Sequence, residues 1–521
     1  MILDERLHTV PALLHELAAR YPEIEAVVAP DGRVTFPELL VRCEAMAACY
    51  AAAGLRPGDR VGVLLPNGLR WIAAALGAHL AGLTAVPINT WYRSSEYAYV
   101  VDTAALRMVV TTEDLFGRPV LQDLAAAGYG GRFPGCGGDG YLGALTWPRG
   151  AELPDGVAPA RFDAVPVGPA DLALVLFTSG STARPKPVPL RHGPLVHNGR
   201  EIARRQHLRA GDRLWIAAPF FFGYGCANAL PVALTHATTL CLQERVDGDA
   251  ALEFIERERC TVYYGLATTT RSLLAASRFG EHDISSLRTG TAGFTAEDKR
   301  LVIEGLGVTE VCSVYGLTEA YGHSTMTDAR DPLEVVLHTQ GTVVPTQEIR
   351  IVDERGEPCA TGETGEVELR GCVIDAYLDS PDLDAEAFRP GGWFRTMDLG
   401  WLGGDDRLHF VGRRKELMKI KGINIAPAEV EEILATHPAV DQVYVMGVPD
   451  GHGDEVMAAV VVPRHPVPDE AALQDELTAH VRSRAASYKV PSRFVVMGAS
   501  DLPLTDTGKV SKRALQARLD A

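Results

Sequence analysis

Over roughly its first 400 residues the chain alternates helical patterns with short β-rich runs, and no other feature restricts its fold as strongly. Arg60–Leu65 and Met108–Thr111 are two of these runs. Strands that alternate with helices form a largely parallel sheet with helices on both faces. Because 521 residues exceed one average core, we expect more than one domain.

The longest uncharged stretch runs from Trp71 to Thr90. Gly77, Gly82 and Pro87 interrupt it, so it predicts a helix followed by a strand rather than a membrane span. Residues 1–6 include Asp4 and Glu5 where a signal peptide needs basic side chains. The sequence therefore predicts no membrane partner.

Charge and cysteine content restrict the partners and the compartment. A net charge of −17 argues against nucleic acid as a partner, so a phosphate ligand would have to be bound by local geometry. Nine scattered cysteines without a CxxC pair predict neither a disulfide framework nor a zinc site. We expect a cytoplasmic protein, and the sequence leaves open whether it forms a homo-oligomer.

The pattern changes towards the C-terminus. From Glu348 to Arg370, short strands and tight turns predict a small antiparallel, β-barrel-like subdomain. After residue 412, a helix, two strands and a helix predict a small domain of their own. The predicted fold class is α/β, with helix-covered, mostly parallel sheets and this subdomain in residues 1–412 and an α+β domain in residues 413–521.

The segment 178–188 follows the apolar run Leu172–Phe177 and combines hydroxyls, a glycine, Arg184 and Lys186. Exposed N–H groups, hydroxyls and positive charge suit a polyphosphate. It is not a Walker loop, because Pro185 and Pro187 flank the lysine. By itself the segment is also compatible with an ordinary Ser/Thr-rich turn.

Four further segments are unusually polar: Val314–Glu319, Trp393–Asp398, Lys415–Gly422 and Leu502–Lys509. The first could stack a base and hold Mg²⁺ through a carboxylate, and Asp398 could accept two ribose hydroxyl protons. Taken singly, they equally suit a helix entry capped by Thr318, a surface turn and a solvated lysine face. Their order along the chain favours the functional interpretation.

In that order, from Asn67-Gly68 to Gly508-Lys509, the segments resemble the adenylate-forming superfamily, which includes acyl-CoA ligases, firefly luciferase and the adenylation domains of peptide synthetases. The resemblance implies a large N-terminal domain and a small mobile C-terminal domain with its hinge near Lys415. It also implies ATP, Mg²⁺ and CoA as cofactors. A carboxylic acid would first become acyl-AMP with release of pyrophosphate, and the CoA thiol would then displace AMP.

The resemblance also implies a role for each matching residue. Lys509 would bridge carboxylate and phosphate during adenylation, Lys419 and Gly422 would belong to the face that turns inward for thioester formation, and Glu319 would be the metal ligand. Asp398 and Arg413 would hold the ribose, while Tyr315 and Gly316 would flank the adenine. The residues expected at the phosphates are Thr178, Ser179, Gly180, Ser181, Thr182, Lys186 and Thr318.

The segment Pro219–Gly225 matches a family motif that lines the acid pocket. Phe222 replaces the histidine common in acyl-CoA ligases, and no carboxylate occurs between Pro219 and His236 to pair with an α-ammonium group. We therefore expect a largely apolar acid, aromatic or polycyclic, although ordinary core packing would also explain the phenylalanines. The expected pocket residues are Phe222, Gly223, Tyr224, Gly290, Gly293, Gly316 and Gly322.

Some positions depart from the family pattern. Met397 precedes Asp398 where glycine is usual, and Ala183 and Pro187 stand where family loops place glycine. A stiff loop could impair adenylation, so that preformed acyl-AMP becomes the effective substrate. Two alternatives to an acyl-CoA ligase remain at this stage: a ligase that loads a carrier-protein thiol or an amine, and a non-catalytic acyl-nucleotide-binding protein.

Overall fold

The structure, a computed structural model, describes residues 7–130, 141–158, 160–163, 165–178, 185–293, 295–416, 418–420, 423–449, 455–485, 489–505 and 509–520. The strands of its first part are β1 (Glu25–Ala29), β2 (Gly32–Thr35), β3 (Arg60–Leu64), β4 (Thr84–Pro87), β5 (Met108–Thr111), β6 (Ala144–Thr146), β7 (Leu172–Thr178), β8 (Lys186–Arg191), β9 (Arg213–Ile216), β10 (Thr239–Leu242), β11 (Val262–Tyr264), β12 (Thr289–Thr291) and β13 (Glu310–Cys312).

Ten helices cover these strands in the described part of the chain: α1 (Val10–Arg20), α2 (Phe36–Ala52), α3 (Leu69–Leu80), α4 (Ser94–Thr103), α5 (Val120–Ala126), α6 (His192–Arg205), α7 (Leu230–Thr235), α8 (Gly248–Glu258), α9 (Ala267–Leu274) and α10 (Ala296–Arg300). A π-helical turn, Tyr224–Ala229, leads directly into α7. This element order confirms the alternation predicted from the sequence.

The strands form two mostly parallel sheets. One has the order β13-β12-β11-β9-β10-β1-β2, in which only β1 and β2 pair antiparallel, and the other has the order β6-β5-β3-β4-β7-β8, in which only β7 and β8 do. Every residue of α3 is buried, as expected for a helix that is apolar on all sides. A Cβ at Gly77 would lie 2.5 Å from Cβ of Met46, so this glycine allows α2 and α3 to pack closely.

A third region is antiparallel throughout. It contains β14 (Val314–Leu317), β15 (Gly322–Met326), α11 (Leu333–His338), β16 (Thr342–Val343), β17 (Gln347–Val352), β18 (Gly365–Gly371), α12 (Pro381–Ala387), β19 (Phe388–Arg389), β20 (Trp393–Leu402) and β21 (Leu408–Arg413). An isolated bridge between Thr342 and Arg407 links its two sheets. The antiparallel β subdomain predicted from the turns is thereby confirmed.

The C-terminal part is an α+β unit with its own buried clusters. It consists of β22 (Met418–Ile420), β23 (Ile423–Ile425), α13 (Pro427–Ala435), β24 (Val440–Pro449), β25 (Glu455–Pro463), α14 (Glu470–Arg482), β26 (Arg493–Val496) and α15 (Lys512–Asp520). Its three-stranded sheet pairs β24 with β25 antiparallel and β25 with β26 parallel. The domain boundary after residue 412 stays a prediction.

Of two other predictions, one is confirmed and one is wrong. The stretch Trp71–Thr90 is indeed a helix followed by a strand, and no described helix is long and apolar enough to cross a membrane. The Gly, Pro and Asp content of the stretch 130–168 predicts a surface excursion before the phosphate loop. Its described residues instead include the buried edge strand β6 and the buried side chain of Trp147, so this prediction is wrong. Three strand residues between Gly- and Pro-rich neighbours are too few to show a periodicity.

Candidate active site

The predicted phosphate loop connects two strands of a hairpin. The buried strand β7 ends at Thr178, β8 begins at Lys186, and these two residues face each other in the antiparallel register. Ser179, Gly180, Ser181 and Thr182 lie outside the described residues. Thr178 and Lys186 therefore mark the two ends of the loop.

Lys186 and Glu319 are connected through a side chain that the sequence analysis missed. The ammonium group of Lys186 lies 5.1 Å from the ring centre of Tyr377, and the Tyr377 hydroxyl donates a hydrogen bond to Oε1 of Glu319 over 2.9 Å. Burial, and then the charge of Glu319, raise the pKa of Tyr377, so its hydroxyl stays a donor. One sequence carried no signal for Tyr377, because its role depends on a contact across 58 residues.

Thr318 and Glu319 lie in a short 3₁₀ turn, Thr318–Ala320, between β14 and β15. Tyr321 closes this turn with a φ of 61°, and the carbonyl of Glu319 accepts a hydrogen bond from the Ile374 amide over 2.8 Å. A Cβ at Gly223 would lie 3.0 Å from the Thr318 hydroxyl. The turn thus brings the predicted metal ligand against the predicted acid pocket.

The predicted ribose-binding residues form a second cluster. The Tyr315 hydroxyl donates a hydrogen bond to Oδ2 of Asp398 over 2.8 Å, and Nε of Arg413 lies 3.5 Å from Oδ1 of Asp398. Asp398 and Arg413 are also register partners in β20 and β21. Burial raises the pKa of Asp398 to about 6, and Arg413 opposes this shift.

The backbone conformation of Met397 explains why glycine is usual at this position in the family. Met397 has a φ of 60°, in the left-handed region that glycine adopts readily. The backbone amide of Asp398 then donates to the Thr396 hydroxyl over 3.1 Å, which fixes the carboxylate-bearing residue. The chain therefore uses a strained backbone here to orient Asp398.

Lys509 lies in a tight C-terminal turn on the Arg413 side of this cluster. Its carbonyl accepts hydrogen bonds from the amide and hydroxyl of Thr505. Desolvation, and then the positive charge of Arg413, lower the pKa of Lys509 although its side chain keeps solvent access. The C-terminal part thus presents its predicted adenylation lysine to the site. Lys415 and Lys419 are described only in their backbone, and Gly422 lies outside the described residues.

The phenylalanines of the motif Pro219–Gly225 have different environments. Phe220 is buried against Trp71 with ring centres 5.1 Å apart, which is core packing. Phe222 is half-buried, and its ring centre lies 5.9 Å from that of Trp91. Tyr224 stacks on Tyr264 at 5.2 Å. An aromatic wall therefore begins where Gly223 meets Thr318.

Close backbone packing requires glycine at several predicted pocket positions. A Cβ at Gly316 would lie 1.9 Å from the carbonyl oxygen of Gly322, and one at Gly290 would lie 2.2 Å from that of Tyr263. A Cβ at Gly293 would lie 2.8 Å from Cβ of Asp298. The lining role of these glycines stays a prediction.

A cavity of about 500 Å³ opens beside the aromatic wall and is lined in part by Trp91, Phe221 and Arg118. At its mouth the exposed guanidinium of Arg245 lies 4.1 Å from the ring centre of Phe116, which also lines the cavity. Because Trp91 also contacts Phe222, the cavity lies next to the phenylalanine motif. The sequence analysis did not anticipate it.

Comparison with known proteins adds a family assignment. Residues 14–378 match the family of AMP-binding enzymes, and residues 429–509 match the C-terminal domain of AMP-binding enzymes. The chain belongs to the adenylate-forming superfamily. It is an acid–thiol ligase whose cofactors are ATP, Mg²⁺ and CoA.

Two relatives and one solved structure illustrate what this adenylate-forming enzyme is similar to. A 3-[(3aS,4S,7aS)-7a-methyl-1,5-dioxo-octahydro-1H-inden-4-yl]propanoyl:CoA ligase of Mycobacterium tuberculosis is 34% identical over 98% of this chain and 99% of the relative. A feruloyl-CoA synthase of Amycolatopsis sp is 32% identical over 95% and 96%. The o-succinylbenzoate CoA synthetase of Bacillus subtilis in complex with its acyl-adenylate has a TM-score of 0.80 and 26% identity over 98% of both chains.

The residues of this adenylate-forming enzyme fit its cofactors chemically. Lys186 and the Thr318 hydroxyl offer a cation and a donor for phosphate oxygens, while Asp398 offers acceptors for ribose hydroxyls. Within the described residues no three His, Cys, Asp or Glu side chains gather into a metal site. Mg²⁺ on nucleotide phosphates needs only one or two protein carboxylates, and Glu319 is the carboxylate predicted for it.

Proposed function

We propose that this ligase converts a largely apolar cyclic acid, aromatic or polycyclic, into its CoA thioester through an acyl-AMP intermediate. The aromatic wall of Phe222, Tyr224 and Tyr264 beside Thr318 carries the proposal, because it gives the acid an apolar surface next to the reacting phosphate. Relatives that act on a bicyclic propanoate and on ferulate support it.

In the first step ATP supplies an activated phosphorus and a pyrophosphate leaving group. Lys186 and Thr318 would hold the outer phosphates, Glu319 would hold Mg²⁺ beside them, and Asp398 would fix the ribose. Lys509, on the other side of Arg413, would place its ammonium between the acid carboxylate and the α-phosphate and offset their repulsion.

The acceptor is proposed to be CoA rather than a carrier protein or an amine. The cavity beside Trp91 would admit a pantetheine arm, and Arg245 over Phe116 offers a cation and an aromatic ring for the nucleotide end. Lys419 and Gly422 would take part after the C-terminal domain rotates about Lys415. We also propose a cytoplasmic location, which the eight described and unbridged cysteines support.

A pyrophosphate-release screen over cyclic acids, followed by an assay of free CoA thiol, tests this function. Release with a cyclic acid and subsequent loss of thiol are expected. Preference for a polar amino acid would contradict the pocket interpretation. An unchanged thiol titre after acyl-AMP and CoA are mixed with the enzyme would contradict the CoA acceptor.

A second candidate is an enzyme in which thioester formation is efficient and adenylation is weak. The β8 flank of the phosphate loop is fixed: the Pro185 carbonyl accepts a hydrogen bond from Tyr99 over 2.9 Å, and that of Pro187 accepts one from the Leu378 amide over 3.1 Å. Pro187 also lacks an N–H donor. These fixed prolines on either side of Lys186 support the second candidate, while the loop residues 179–184 lie outside the described residues.

Pyrophosphate exchange separates the two candidates. If the loop limits adenylation, exchange with acid and ATP is slow, synthetic acyl-AMP with CoA reacts well, and the double variant Ala183→Gly with Pro187→Gly restores exchange. A single misplaced donor costs about 1–3 kcal/mol, or roughly 5- to 150-fold in rate. Fast exchange by the unmodified enzyme would exclude this candidate.

A further inference from the structure

Asn228 carries a buried amide that no described group of the protein binds. It lies in the π-helical turn Tyr224–Ala229, is 1% exposed, and neither its Nδ2 nor its Oδ1 has a hydrogen-bond partner. Leaving a buried donor or acceptor without a hydrogen bond costs about 1–3 kcal/mol. Turns of this type are frequent at functional sites.

The amide faces the predicted acid pocket. A Cβ at Gly322 would lie 2.9 Å from Nδ2 of Asn228, and Gly322 is the residue against which Gly316 packs. Asn228 follows Tyr224 by four residues, so both side chains lie on one face of the helical turn. Gly223, which meets Thr318, lies at the other end of the same turn. Asn228 therefore lies at the end of the turn opposite Gly223 and Thr318.

Two polar groups near this turn already have hydrogen-bond partners. The Tyr224 hydroxyl pairs with Oγ1 of Thr291 at 2.6 Å. Asn198, which is also fully buried, donates from Nδ2 to the carbonyls of Tyr321 and His323 at 2.9 and 3.1 Å and so fixes the backbone around Gly322. The Nδ2 of Asn228 is the contrasting case, because its protons have no acceptor in the described part of the protein.

We propose that Asn228 binds an uncharged oxygen, oxo or hydroxyl, on the ring system of the acid, at the end remote from its carboxylate. The inference rests on the proposed function and narrows its substrate class. Nδ2 would donate to this oxygen, and a hydroxyl could in turn donate to Oδ1. An uncharged oxygen suits the site, because the amide is uncharged and no charged residue occurs on its own segment from Pro219 to Thr235.

The test compares three acids on the full-length enzyme: a bicyclic propanoic acid, its ring-oxo derivative and its ring-hydroxyl derivative. Pyrophosphate release is the readout. The kcat/KM with the oxygenated acids is expected to be about 10- to 100-fold higher than with the parent acid, because the parent acid leaves the Asn228 amide without a hydrogen-bond partner. The oxo and hydroxyl arms identify which oxygen the amide prefers.

Asn228→Leu removes the amide at nearly constant volume and is expected to abolish the preference without lowering the melting temperature. Asn228→Thr is the second variant and is expected to retain a reduced preference. Asn198→Leu is the matched control, which should lower the melting temperature and leave the preference of the folded enzyme unchanged. A wild-type enzyme that does not discriminate, or an Asn228→Leu variant that still does, would overturn the proposal.

Failure of the proposed function gives a different result. If every acid releases pyrophosphate at one rate, the ligase function stands and the role of Asn228 is refuted. If no acid releases pyrophosphate and synthetic acyl-AMP consumes no CoA, the proposed function fails, and the substrate class inferred from Asn228 fails with it.

Discussion

The Tyr315 hydroxyl donates a hydrogen bond to Oδ2 of Asp398 over 2.8 Å, although the two residues come from strands of different sheets. The bond ties the residue predicted at the adenine to the residue predicted at the ribose. Despite this donor and Arg413, burial raises the pKa of Asp398 to about 6. The carboxylate therefore loses its charge in mildly acidic solution.

Nucleotide binding is expected to weaken as the pH falls through about 6, because a protonated Asp398 can no longer accept two hydroxyl protons. Titration of adenosine affinity between pH 5 and pH 8, from about one unit below this value to about two units above it, measures the effect without a phosphate that itself titrates near pH 6. Asp398→Asn should lower the affinity about 10- to 100-fold and remove the pH dependence. A wild-type affinity that is constant over this range would contradict the role of Asp398.

Folding stability should respond to the same group with the opposite sign. The pKa of Asp398 is about 6 in the fold and 3.8 ordinarily, so the folded protein holds this proton more tightly and the charged form opposes folding. The penalty is complete above about pH 6 and vanishes below about pH 4, and it amounts to at most about 3 kcal/mol. Asp398→Asn should therefore raise the free energy of unfolding at neutral pH and have a smaller effect under acid conditions. Chemical denaturation of both proteins at neutral pH and at acidic pH measures the difference.

The fold could be predicted because its signals are local. Apolar runs such as Leu172–Phe177 and the breaker Gly82, which lies between α3 and β4, fix strand and helix identity within a few residues. The strand β6 could not be found, since its place in the sheet depends on pairing with β5 rather than on its own three residues. Long-range pairing decides such cases.

The site could be predicted only where residues lie inside polar segments. Glu319 and Asp398 stand in such segments, whereas Tyr377 and Asn228 gain their importance from contacts with distant parts of the chain. The usual glycine before Asp398 became understandable only from the φ of 60° at Met397. Burial and unpaired polar atoms are properties of the fold, and one sequence does not display them.

Tyr377→Phe should weaken Mg²⁺ binding by about 10-fold, because the Tyr377 hydroxyl orients the Glu319 carboxylate through a hydrogen bond. The ring that lies under Lys186 is kept, so a loss reports on the hydroxyl and Glu319. The Mg²⁺ dependence of pyrophosphate exchange provides the readout. Tyr50→Phe, which removes a buried hydroxyl bound to the Ala74 carbonyl, is the control and should leave this dependence unchanged.

Contacts between the two parts of the chain should favour the first half-reaction. A guanidinium nitrogen of Arg464, in the C-terminal part, lies 3.4 Å from Oε1 of Glu297 at the start of α10. In the same arrangement the charge of Arg413 acts on Lys509. Arg464→Ala is expected to slow pyrophosphate formation several-fold and to leave thioester formation from acyl-AMP unchanged, in keeping with the modest worth of an exposed ion pair. Equal slowing of both halves would contradict this prediction. Lys489→Ala, which breaks a pair with Glu429 inside the C-terminal part, is the matched control.

Arg245→Gln should raise the KM for CoA about 5- to 10-fold, since a guanidinium stacked on Phe116 contributes both charge and a flat surface to a nucleotide. Pyrophosphate exchange, which precedes CoA binding, should stay the same. Arg257 has a similar contact elsewhere, with its guanidinium 5.1 Å from the ring centre of Phe254. Arg257→Gln is therefore the control and should change neither the KM for CoA nor pyrophosphate exchange. The wild-type KM for CoA should also rise with salt, and less so in the Arg245 variant, because a screened cation contributes less. If the Arg245 variant retains the wild-type KM at every salt concentration, CoA enters by another route than the cavity beside Trp91.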